Sequence, residues 1–97
     1  MILELTDAAL GDLQMIREYT FAQWGEIQEE KYLDGIWEKF EDLVAYPQRW
    51  RSREDLFPGC RLAVHEKHLI LFRVEGAKLQ IVRVLHGAMD LRGQLDD

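Results

Sequence analysis

Arg83 and His86 leave the end of one strand-like run, IVRVLH, and Arg61 projects from the face that Arg83 shares. An imidazole titrates near neutrality and a guanidinium stabilises developing charge, so this set has the chemistry to position a phosphodiester and move a proton, as in RNA cleavage. No lysine, tyrosine or acid stands where a partner base belongs, and the plainer alternative is that Arg83 and His86 bond to the tail through Asp90. His65 and His68 flank a short polar break and could share a metal, but a pair with no third ligand makes a weak zinc site. The single cysteine, Cys60, cannot form an internal disulfide, which fits a reducing cytoplasm, and its place in an apolar alternation marks it as a packing residue. The chain has no glycine-rich phosphate loop, no CxxC pair and no HExxH helix, so no cofactor and no metal are expected.

These residues sit in the stretch CRLAVHEKHLILFRVEGAKLQIVRVLHGAMD, residues 60 to 90, which holds three strand-like runs and two polar breaks. It reads as two successive antiparallel hairpins, with Gly76 placed where a turn takes positive φ. The register puts Val64 opposite Leu69, Leu62 opposite Leu71, Val74 opposite Leu79, Phe72 opposite Ile81 and Leu71 opposite Val82. Strand alternation then sorts the side chains into two faces. Cys60, Leu62, Val64, Leu69, Leu71, Val82 and Val84 form one, interrupted by Arg73 and Gln80, and this is the expected core face. Ile70, Phe72, Val74, Leu79 and Ile81 form the other, rimmed by Arg61, His65, His68 and Arg83. The second face is apolar inside a cationic rim and is expected to stay uncovered, which would mark a partner site.

Upstream, Ile2 to Leu5 reads as an edge strand, and Thr6 as the cap of a helix from Asp7 to Trp24 in which Ala9, Leu13, Ile16 and Thr20 recur at helical spacing. Gly25 follows where a helix end takes a left-handed residue. A second helix runs from Glu26 to about Ala45, with Leu33, Ile36, Trp37, Phe40, Leu43 and Val44 on one side. Its opposite side, with Glu29, Glu30, Asp34, Glu38, Glu41 and Asp42, reads as a solvated surface. Only one glycine separates the helices, so they form an antiparallel hairpin that must lie on the sheet. The link from Gln48 to Gly59 interleaves Arg49, Trp50, Arg51 and Arg53. It is expected to pack over the sheet edge through Trp50 and Phe57 rather than to stack bases. The tail, with Met89, Leu91 and Leu95, suffices for a short amphipathic turn or strand.

Ninety-seven residues, 47% hydrophobic and 31% charged, fit one globular domain spanning 1 to 97. The fold expected is α+β: an N-terminal strand, an antiparallel two-helix hairpin on a mainly antiparallel three- to four-stranded sheet, and a short C-terminal tail. No apolar run approaches the roughly 20 residues of a bilayer span, and the first residues do not read as a secretory signal, so the expected location is cytoplasmic. The net charge of −6 is unevenly spread. Residues 1 to 47 hold 11 Asp and Glu against 3 Lys and Arg, whereas residues 48 to 97 hold 7 against 9. Free nucleic acid, whose binding rests on a cationic excess, is therefore a poor partner.

Several fragments resemble the ParE toxins of the RelE/ParE superfamily, the toxic halves of type II toxin–antitoxin pairs. They are ALGDLQMIREYTFAQWG in the first helix, Tyr32 and Leu33, Tyr46 and Pro47, then Phe57 to Arg61, HLILFRV, and above all IVRVLHGAMDLRGQL from 81 to 95. The link departs from the family pattern, having Gln48, Arg49, Trp50 and Arg51 where many relatives have a glycine and a small residue, so its conformation is not carried over. The resemblance implies a small cytoplasmic toxin without catalytic residues, which poisons DNA gyrase and is neutralised by a ParD-type ribbon-helix-helix antitoxin. On this basis Arg61, Ile70, Phe72, Arg73, Val74, Leu79, Ile81 and Arg83 are expected to meet the antitoxin. Arg83, His86, Met89 and Asp90 are expected to meet gyrase. The alternative is a ribosome-dependent mRNA endonuclease of the RelE branch, for which Arg61, Arg83 and His86 would be the catalytic set. A third is an inactive relative that retains only antitoxin binding.

Overall fold

The computed structural model describes residues 1–87 and 90–95. Its first strand, β1 (Ile2–Leu5), leads through Thr6 into α1 (Asp7–Trp24). The Thr6 hydroxyl accepts the Ala9 N–H at 3.0 Å, the bond an N-cap makes, and Asp7 lies in the first turn where the helix dipole favours it. Gly25, at φ +87°, ends α1 and starts α2 (Glu26–Ala45). A single-turn 3-10 helix, Pro47–Arg49, precedes a two-residue strand, β2 (Arg51–Ser52). Then come β3 (Arg61–His65), β4 (His68–Glu75), β5 (Lys78–His86) and a short α3 (Leu91–Leu95).

The sheet has five strands in the order β1-β5-β4-β3-β2, antiparallel except for the parallel pair of β1 with β5. The α+β arrangement expected from the sequence is present, with β2 as an added edge. Gly76 has φ +61°, as a two-residue hairpin turn with glycine first requires.

The pairing of β3 with β4 follows the expected register, including Leu62 with Leu71 and Val64 with Leu69. That of β4 with β5 does so only near the turn. Phe72 pairs with Ile81, but Leu71 pairs with Arg83 rather than Val82, because β5 carries a bulge there. One extra residue inverts the alternation beyond it. Val84 therefore joins Ile81 on one side of the sheet, while Leu85 joins Leu71 on the other.

A larger correction concerns which face the helices cover. α1 and α2 lie on Ala63, Ile70, Phe72, Leu79, Ile81 and Val84, so the face expected to stay bare is the main core. Ile70, Phe72, Leu79 and Ile81 are fully buried, which removes these four as a partner surface, and Val74 packs against them partly buried. The other face splits in two. Cys60, Leu71 and Leu85 are covered by Leu56 and Phe57 of the link and by Leu91 and Leu95 of α3. The rest is polar: Arg73 Nε donates to Gln80 Oε1 at 3.0 Å, and Gln80 Nε2 donates to Glu4 Oε1 at 2.8 Å. A face with that network in its middle cannot take an apolar helical layer without stranding it.

In the helices the expected stripes are buried, from Ala9 to Thr20 in α1 and from Leu33 to Leu43 in α2, while Trp37 is exposed. Glu29, expected on the solvated side, is buried and paired with Arg17 at 3.5 Å. In the link, Trp50 packs on the main core with Lys39 Nζ 5.0 Å from its ring, and its indole N–H is buried without an acceptor among the described residues. No helix among the described residues is long and apolar enough to cross a membrane.

Candidate functional site

β1 covers β5 only from Lys78 to Ile81, so the second half of β5 has an open edge. α1 closes it with side chains. The Thr6 hydroxyl donates to the Val82 carbonyl at 2.7 Å, and the Asp12 carboxylate accepts the Val84 N–H at 2.9 Å. The same carboxylate, 9% exposed, takes Arg83 Nε and Nη2, both at 2.8 Å. Arg83 Nη1 donates to the Gln94 carbonyl at 3.0 Å, so one guanidinium ties α1 to the tail. The tail contact anticipated for Arg83 exists, with Gln94 supplying the acceptor. Asp12 was not singled out from the sequence, although an acid between Ala9, Leu13 and Ile16 of the buried stripe signals a paired charge.

The three histidines gather at this end of the sheet. His65, His68 and His86 lie side by side in β3, β4 and β5. Tyr32 of α2 packs edge-on against His65 and His68, and its hydroxyl hydrogen-bonds His68 Nδ1. His68 and His86 meet edge to face at 5.6 Å between ring centroids. Gly35 gives His65 room, since a Cβ there would lie 3.0 Å from its ring. Burial, then the neighbouring His86 and His65, hold the His68 pKa below its ordinary value. Burial and Glu66 raise that of Tyr32. The neutral forms are thereby favoured, which suits a packed cluster. No group of three His, Cys, Asp or Glu placed to hold a metal occurs among the described residues.

The remaining expected site residues are dispersed. Arg61 donates to the Trp50 carbonyl at 2.7 Å and to Gln48 Oε1 at 2.9 Å, fixing the link against β3. Arg73 belongs to the polar network on the far face. Arg83 and His86 both line one cleft between α1 and the end of β5, whereas Arg61 is absent from its lining and is held by the link, so the three are not assembled together as an endonuclease set requires. Met89 lies outside the described residues, and Asp90 is exposed just before α3.

A shallow cleft of about 120 Å³ remains between α1 and the end of β5, lined by Met15, Ile16, His68, Leu85 and His86 among others. Along α1, Met15 and Tyr19 are exposed beside it, in a stripe with Ala8, Gly11 and Ala22 at helical spacing. Outside this cleft and stripe the expected apolar partner surface has no counterpart on the sheet. Asp12, Arg83 and Gln94 also line the cleft, and they are bonded to one another there.

A family model described as "ParE toxin of type II toxin-antitoxin system, parDE" matches residues 3–91. The chain belongs to the ParE toxin family. Among its ParE relatives, "Toxin ParE1" of Mycobacterium tuberculosis (strain ATCC 25618 / H37Rv) is 33% identical over 88 residues, covering 90% of each chain. "Toxin ParE" of Escherichia coli is 32% identical over 94 residues, covering 96% of this chain and 91% of its own. A solved structure titled "Chromosomal ParDE TA system from P. aeruginosa" superposes with a TM-score of 0.78 at 27% identity, covering 89% of this chain and 95% of the other. The ParE match and these relatives name a toxin family and not an enzyme family.

Proposed function

We propose that this chain is the toxin of a type II pair, that it inhibits DNA gyrase by protein–protein contact, and that a ParD-type ribbon-helix-helix antitoxin neutralises it. The ParE family match over residues 3–91 carries the reading, together with the likeness to a ParDE system. Two structural facts support contact rather than catalysis. The cationic residues that an RNase would need are held in separate structural bonds, and the open surface is an apolar cleft with an apolar stripe along α1.

The antitoxin's seat is that cleft and stripe. Exposed Met15 and Tyr19 flank it, which suits an amphipathic segment laid along α1. Arg83, His86 and Asp90 border the same end, so a gyrase contact there would be blocked by a bound antitoxin. The action of the partner thus follows from overlap of surfaces.

The test is a supercoiling reaction. Purified chain added to gyrase is expected to suppress supercoiling and accumulate cleaved DNA, and an equimolar amount of the antitoxin encoded beside it is expected to restore activity. A chain that binds the antitoxin yet leaves gyrase untouched, while cutting mRNA in a translation reaction, would replace the gyrase reading with the RelE-type one.

A further inference from the structure

The helical hairpin overshoots its own core. Buried positions in α1 end at Thr20 and those in α2 begin at Glu29, and no residue from 21 to 28 is buried. The Arg17 to Glu29 ion pair, at 3.5 Å, joins the two helices where the buried positions stop. Beyond that point the tip still carries Phe21, Trp24 and Ile27, which are 57%, 71% and 85% exposed. Among the described residues, none of these three side chains belongs to either hydrophobic core. Large apolar groups, with tryptophan foremost, are the anchors of protein interfaces when they are bare in the free molecule.

Charge decides what can cover the tip. Residues 7 to 45 hold 10 Asp and Glu against 3 Lys and Arg; around the tip Glu18, Glu26 and Glu30 are exposed, with Lys31 beside them and Arg17 paired with Glu29. A second copy would bring two acidic hairpins together, and anionic lipid or nucleic acid would be repelled in the same way. A protein surface rich in lysine and arginine fits, and proteins that grip DNA present such surfaces because they neutralise phosphates.

We propose that the tip of the α1–α2 hairpin docks on a cationic, DNA-handling surface of the toxin's target, with Trp24 as the anchor and the surrounding acids as its electrostatic guide. The inference rests on the proposed function and adds to it a contact separate from the cleft and the α1 stripe. Ile27 and Gln28 of the tip line a cleft with Tyr32, His65 and Glu66, at the end of the sheet where β5 stops at His86, so one target can touch both the tip and the end of β5.

The experiment uses the full chain carrying Trp24→Gln with Ile27→Gln, and a second variant, Glu26→Lys with Glu30→Lys. All four positions are exposed, so antitoxin affinity is expected to stay at the wild-type value; thermal melting is expected to stay within about 5 °C of it, the fall being in the Lys variant because Glu26 lies in the first turn of α2. The concentration needed for half-inhibition of gyrase supercoiling is expected to rise roughly tenfold or more in each, with growth inhibition in cells weakened in parallel. Variants as potent as wild type in both assays overturn the tip and leave the proposed function standing. A wild type that spares gyrase but stops growth, with the variants harmless, removes gyrase as the target and keeps the tip. A wild type inert in both overturns both readings.

Discussion

Asp12 does the work of a missing strand. β1 stops at Leu5, and a single carboxylate then takes the Val84 N–H and two nitrogens of Arg83 that would otherwise face a half-buried edge. Because Asp12 is almost wholly buried and the Arg83 side chain is 20% exposed, the pair is poorly screened by water, and removing the carboxylate takes the acceptor from the Val84 N–H and the counter-ion from Arg83. Asp12→Ala is expected to lower unfolding stability by roughly 3 kcal/mol, read as a fall in the urea midpoint at unchanged slope. A loss under about 0.5 kcal/mol would show that water replaces the carboxylate without cost and that the clamp is incidental. This residue was legible in principle, as an acid in a buried stripe. Its partner could not be read, because the pairing spans 71 positions and depends on where β1 ends.

At the scale of elements, the two helices, the glycine between them and both sheet hairpins follow from spacing and turn chemistry, and each lies where the sequence puts it. The sidedness of the sheet does not. Both faces are apolar, and alternation assigns residues to faces without saying which face receives the helices; Arg73 and Gln80, already visible as interruptions, were the clue that theirs is the uncovered half. The bulge at Val82 was equally hidden, since no glycine marks it. It brings Leu85 to the far face, where α3 and the link make a small second core around Cys60. Burial pushes the Cys60 thiol up to about 11, so the native thiol is both covered and protonated at pH 8. Leu91→Ala combined with Leu95→Ala strips the apolar side of α3, and should cost about 2 kcal/mol. The Cys60 thiol should then react with an aromatic disulfide reagent at least tenfold faster under native conditions. Labelling at the wild-type rate would mean that the link alone shields Cys60 and that α3 is no lid.

The whole molecule is a polar sandwich: an acidic helical layer on a sheet, link and tail that together hold 9 Lys and Arg against 8 Asp and Glu. The two proposed partners overlap at the end of β5, and the target contact extends beyond it to the hairpin tip. The proposed antitoxin seat, between Met15, Tyr19 and the end of β5, exposes mainly apolar area, and affinity drawn from such area on leaving water is hardly weakened by salt. The target contact gathers the acids of the hairpin over a cationic surface, and exposed charges attract only within a Debye length, about 30 Å at 0.01 M salt and about 8 Å at 0.15 M. Long-range attraction acts mainly on the rate of encounter. Raising potassium chloride from 50 to 300 mM is therefore expected to slow association with the target roughly tenfold, while the antitoxin's dissociation constant changes by less than about threefold. Surface-binding kinetics with immobilised toxin measures both. Equal salt sensitivity would mean that the acidic layer is an ordinary solvated surface, and that the uneven charge of this chain serves solubility and not recognition.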